Sequence, residues 1–270
     1  MTALAHLYRV YKVLFVAQLQ QAAQYRVQSV LWLLLAVIRP VVFLAAWSAA
    51  ANTQGGAIGS YSIGDFAAYY VCLTLVSQLT MSWNAYDFEL EVRQGKLSPK
   101  LLRPLHPLHY AVVENVVYKV TTLPALLPAL VLIGWTFQAH FQTQLWQALL
   151  FVPSVLLAAT LRFVFGWFIA SLAFWTTRIH AVMHLYDRVV FVLAGQIAPL
   201  SLLPAPLALL SYALPFGYML WAPSEILRGG LSFEQTMLTI LAQSGWLAAS
   251  WIAYAVVWRM GLRQFSAVGA

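Results

Sequence analysis

Charge is scarce in this sequence, and cysteine is scarcer still. Of 270 residues, 9% are charged and 62% are hydrophobic, where soluble domains average about 25% charged. A soluble fold with that balance would leave large apolar patches in water. The lone cysteine, Cys72, excludes an intrachain disulfide and offers no zinc-ligand spacing. Motifs that carry chemistry are missing too. There is no GxxxxGK[ST] phosphate loop, no HExxH and no GxSxG, so none of the chemistry those motifs serve is written here. The formal net charge of +7 sits in short connectors and not in a Lys/Arg-rich run, which argues against a nucleic-acid partner. Residues 2–26 mix polar and apolar positions and do not read as a cleaved signal peptide.

What is present is a series of apolar runs. About 20 apolar residues cross a hydrocarbon core roughly 30 Å thick, and six runs qualify, near 28–50, 66–86, 112–136, 145–174, 183–200 and 237–258. Before them, Leu4, Leu7, Tyr8, Tyr11, Leu14 and Phe15 recur at helical spacing among polar residues. That predicts an amphipathic helix over 1–26 lying in the membrane interface. Arg9, Lys12, Arg26, Arg93, Lys96, Lys100, Arg103, Arg178, Arg259 and Arg263 fall on one side of these spans, and Arg228 on the other. Basic connectors stay in the cytoplasm, so both termini are expected there. The chain reads as one all-α membrane domain over 1–270.

Two connectors stand out. In 87–110, Gly95 can end a helix, Pro99 can open one in its first turn, and Pro104 and Pro107 stop its continuation. Glu91, Arg93, Lys96, Lys100 and Arg103 lie around them. In 196–235, Pro199, Pro204, Pro206, Pro215 and Pro223 cannot share one regular span. Short helices that dip in and return fit better, with Pro199, Pro204, Pro206 and Pro215 forming a gate.

Within the spans, Arg39 and Arg162 sit deepest among the charges, where insertion costs about 2.5–3.5 kcal/mol. They are expected to line a pathway or a seam between subunits, or to pin helices. His180 and His184 share a helical face at i, i+4 without a second ligand pair, which reads as an interfacial polar pair. Trp83, Tyr86, Trp135, Trp175, Trp221 and Trp258 lie near span ends, as interface belts do.

YRVQSVLWLL at 25–34, IGSYSIGDFAAYYV at 58–71, SQLT at 77–80, EVRQGKLSPKLLRPLHPL at 91–108, and PLSLLPAPL with ALPFGY together resemble the permease subunits of ABC transporters of the ABC-2 export type. The likeness is closest to the six-span branch that pairs two permeases with a separate ATPase, the type V exporter fold. It covers nearly the whole chain. Gly95, Leu97, Leu101, Leu102, Arg103 and Pro104 carry its most specific motif. The resemblance implies an amphipathic connecting helix, a cytoplasmic coupling helix docking on the ATPase through Glu91, Arg93, Leu97, Leu101, Leu102 and Arg103, and re-entrant helices before the last span. It implies two ATPase subunits carrying ATP and Mg, with no cofactor on this chain, and a second permease, related or identical. Residence in the inner (cytoplasmic) membrane among lipids, and a small amphiphilic, lipid or drug-like substrate, complete the expectation. An ATP-independent channel or secondary carrier is the alternative.

Overall fold

The computed structural model describes residues 3–24, 26–176 and 179–265. Arg178 and the Arg93 side chain lie outside the described residues. Helix α1, Ala3–Gln24, packs along α6, Pro107–Thr136, and Tyr11 Oη lies 2.6 Å from His109 Nδ1. Helix α2, Arg26–Thr53, ends where Gly55 and Gly56 take left-handed φ values of 86° and 102°. A small hairpin follows, β1 Ala57–Ile58 against β2 Tyr61–Ser62, paired Ala57 to Ser62 and Ile58 to Tyr61.

Helix α3, Ile63–Thr80, starts in a capping box. The Asp65 amide donates to Ser62 Oγ at 3.2 Å, and the Ser62 amide to Asp65 Oδ2 at 3.0 Å. Phe66, Tyr69, Tyr70, Leu73 and Val76 are all buried, as in a helix surrounded by others. It touches α2, α6, α7 (Leu145–Ala170) and α11 (Trp221–Arg228). Its polar residues are matched inside: Gln78 Nε2 donates to Thr122 Oγ1 of α6 at 2.6 Å. Between α7 and α12, Phe233–Gln264, Ser154 Oγ donates to Gln243 Oε1 at 3.0 Å. The outward faces are apolar instead, with Leu34, Leu35, Val131, Leu132, Leu149, Leu156, Leu241 and Ile252 exposed. Polar residues inside and apolar ones outside suit a bundle whose solvent is lipid.

Four described helices are long and apolar enough to cross a membrane: Leu34–Thr53 of α2, α6, Leu145–Phe174 from α7 into the 3-10 turn after it, and α12. The two remaining predicted runs also form helices. Helix α3 has 18 residues, diluted by tyrosines, Asp65 and Gln78. Helix α8, Ile179–Leu193, has 15 residues, about 22 Å at 1.5 Å per residue.

The stretch after α8 is broken, as its prolines require. A 3-10 turn Leu200–Leu202, α9 Ala205–Ala213, α10 Phe216–Met219 and α11 follow one another. Pro199, Pro204 and Pro215 are N-caps, Pro206 is the second residue of α9, and Pro223 the third of α11. Each lies where its missing N–H has no helical partner to lose. The carbonyls freed between α8 and the 3-10 turn find ring donors. Tyr69 Oη donates to Gly195 O and Tyr70 Oη to Ile197 O, both at 2.6 Å, and Trp47 Nε1 to Ile197 O at 2.8 Å. Gly195 has φ +82°, and a Cβ there would lie 2.5 Å from the Tyr69 hydroxyl.

Candidate functional site

The 87–110 connector folds as two short helices. Helix α4, Asn84–Arg93, packs on α7 and α8 and stops at Gly95, whose φ is +69°. Helix α5, Leu97–Leu101, then holds Pro99 in its first turn. His106 Nδ1 accepts from the Leu108 amide at 3.2 Å and Pro107 is the first residue of α6. Lys100 forms an ion pair with Glu91, and its ammonium lies 5.8 Å from the Tyr110 ring centre. Burial, then Glu91 one turn on, holds the Asp87 carboxyl above its usual range.

The three leucines expected to anchor a partner divide here. Leu97 is 0% exposed, so it belongs to this chain's own core and is not a surface anchor. Leu101 is half-buried against that core. Leu102, just past the helix, is 89% exposed. Arg103 and Pro104 are exposed beside it. Gln94, Lys96 and Pro99 are exposed too, so of the three leucines Leu102 is the one on the connector's free face.

The deep cations also part company. Arg39 is exposed on α2, with its guanidinium 5.5 Å from the Phe191 ring centre of α8; it does not enter this chain's interior. Arg162 is half-buried in α7 and donates to Thr80 Oγ1 at 3.2 Å. His180 and His184 are exposed with their Nε2 atoms 3.0 Å apart, and the Tyr86 hydroxyl beside them donates to Asp187. No group of three or more metal-ligating side chains occurs among the described residues.

At the hairpin end lies a cluster that the sequence did not disclose. Arg228 Nε and Nη2 donate to Glu225 Oε2 at 3.0 and 2.7 Å, and Tyr61 Oη donates to Glu225 Oε1 at 2.8 Å. Arg228 Nη1 lies 3.7 Å from Asp65 Oδ1, and its guanidinium carbon is 4.8 Å from the Tyr61 ring centre. All four residues are buried. Burial, then the Glu225 carboxylate, pushes the Tyr61 phenol up. The next residues are shaped for this pair: a Cβ on Gly230 would fall 1.9 Å from Glu225 Oε2, and one on Gly229, at φ +88°, would fall 2.4 Å from the Gln142 carbonyl carbon. A cavity of about 430 Å³ opens here, lined by Tyr61, Tyr212, Tyr218, Trp221, Glu225 and Arg228 among others. A carboxylate and an arginine at i, i+3 followed by two glycines was the available signal. By sequence alone Arg228 reads only as the basic residue on the opposite side of the spans.

Residues 36–269 match the family described as ABC-2 family transporter protein. No curated protein matches the chain.

Proposed function

The chain belongs to the ABC-2 family of transporter proteins, and on that premise we propose that it is the membrane subunit of an ATP-driven export system, moved by a separate ATPase. The observation that carries the coupling is the shape of the connector. Gly95 and Pro107 bracket α5, and Leu97 roots it in the core while Leu102 and Arg103 stand free. A chain without a phosphate loop must receive work through a contact, and a short helix fixed at both ends transmits a push. Two ATPase subunits and a second permease, related or identical, complete the assembly. ATP and Mg reside on the ATPase.

In this reading α2, α3, α6, α7, α8 and α12 are six spans, with α1 in the interface and both termini in the cytoplasm of the inner membrane. The asymmetry of basic residues supports that orientation. It puts α9–α11 and the Tyr61–Glu225–Arg228 cluster at the outer end, where the proline-started pieces close the path. Arg39, exposed on α2, lies at the seam with the second permease. The apolar surroundings suit an amphiphilic substrate.

Co-purification from membranes tests the assembly. An ATPase subunit should accompany the chain, and its ATP hydrolysis in vesicles should depend on it. Exchanging Leu102 and Arg103 for alanine should release the ATPase while leaving the permease folded. A chain that transports without any ATPase would be a channel or carrier instead.

A further inference from the structure

Lys119 of α6 and Arg162 of α7 converge on the C-terminal end of α3. Lys119 Nζ donates to Met81 O and to Asn115 Oδ1, each at 3.1 Å. Arg162 Nη1 donates to Thr80 Oγ1 at 3.2 Å, with the Tyr186 hydroxyl nearby. Both side chains are half-buried and lie within Coulombic reach of each other. These partners are all neutral oxygens. A helix C-terminus carries about half a negative charge, so α3 can offset roughly a quarter of two full cations. About one and a half positive charges remain, in surroundings that screen them far less than water does. Capping α3 therefore leaves most of this positive charge without an offset from that helix.

We propose that Lys119 and Arg162 together bind a phosphate-type oxyanion group, free or on the head of an amphiphile, at this end of α3. The guanidinium fork matches oxyanion geometry, and the ammonium adds a point charge that can swing toward it. Val116 and Val120 of α6, both exposed, flank Lys119 and offer apolar surface to an acyl chain. The site goes beyond the transporter reading, because it requires no ATPase.

The test uses the purified full-length protein in an uncharged maltoside detergent. It is titrated separately with dodecyl phosphate, inorganic phosphate and dodecyltrimethylammonium, and the unfolding temperature is followed. Dodecyl phosphate should stabilise saturably and the cationic amphiphile should not. Hydrogen bonds to charged groups are worth enough that Lys119→Gln or Arg162→Gln should each weaken binding about tenfold or more. Arg259→Gln, at an exposed position of α12, should leave it unchanged. Lys119→Arg keeps the charge and should keep binding, which settles the matter if a glutamine variant fails to fold. Saturation by inorganic phosphate alone identifies a free oxyanion as the ligand; response to dodecyl phosphate only identifies an amphiphile. No saturable effect from either, or affinity that survives both glutamine substitutions, overturns the site.

Discussion

Removing Arg228 would strand two carboxylates, Asp65 and Glu225, in a site where both are buried. Breaking a buried pair by deleting one partner costs about 3–5 kcal/mol, whereas replacing both partners by groups of similar volume can be close to neutral. Arg228→Met should therefore lower the unfolding temperature more than the double variant Arg228→Met with Glu225→Leu. Equal losses in a double-mutant comparison would show that the pair is not coupled. At the other end, burial and then the neighbouring His109 lower the His106 affinity for protons below the usual histidine range. His106 must be neutral at Nδ1 to accept from the Leu108 amide. The folded state thus binds fewer protons than the unfolded one below about pH 6.5, so the contribution holds above that value and is lost as the pH falls. Deuterium uptake at residues 108–110, after correction for the intrinsic pH dependence of amide exchange, should rise as the pH falls below about 6.5, and His106→Asn, which caps without titrating, should flatten the response at that position.

Helix α5 and the residue that follows it serve two purposes. Leu97→Ala should destabilise the whole protein by about 2–5 kcal/mol, as large-to-small changes in a core do. Leu102→Ala should change stability by less than about 0.5 kcal/mol yet reduce ATPase capture in a pull-down. If the two variants behave alike, the division of the connector into a root and a free face is wrong. The breakpoints of this connector were legible, since glycine and proline act through their own backbone restrictions. Gly95 and Pro107 sit where their chemistry puts them, and so do the five prolines from Pro199 to Pro223. Which leucine faces outward was not legible. Leu97, Leu101 and Leu102 are chemically identical, and only the packing of α4 and α5 distinguishes them.

Over the whole molecule, the apolar helices could be read because each is a property of one continuous run, and four of the six predicted runs are long and apolar enough to cross a membrane. The Tyr61, Asp65, Glu225 and Arg228 cluster could not, because two ends of the chain meet there: Tyr61 and Glu225 are 164 residues apart. Topology is open to direct measurement. Cysteines placed at 57 and 140 should react with a membrane-impermeant thiol reagent from outside intact cells. Native Cys72 should stay silent, being 1% exposed. Labelling only after the cytoplasm is opened would invert the orientation. In the proposed orientation α3 runs between two groups of opposite formal sign. Lys119 and Arg162 lie toward the cytoplasm, while two carboxylates against one arginine leave the outer cluster negative. A membrane voltage negative inside draws the first group inward and the second outward, so it holds both where they are. Carrying one charge across the full membrane is worth about 2.3 kcal/mol per 100 mV, and a partial outward shift of the inner pair would meet a share of that. In that orientation the resting voltage of the cell would act as a restoring force on this arrangement, and depolarisation would loosen it.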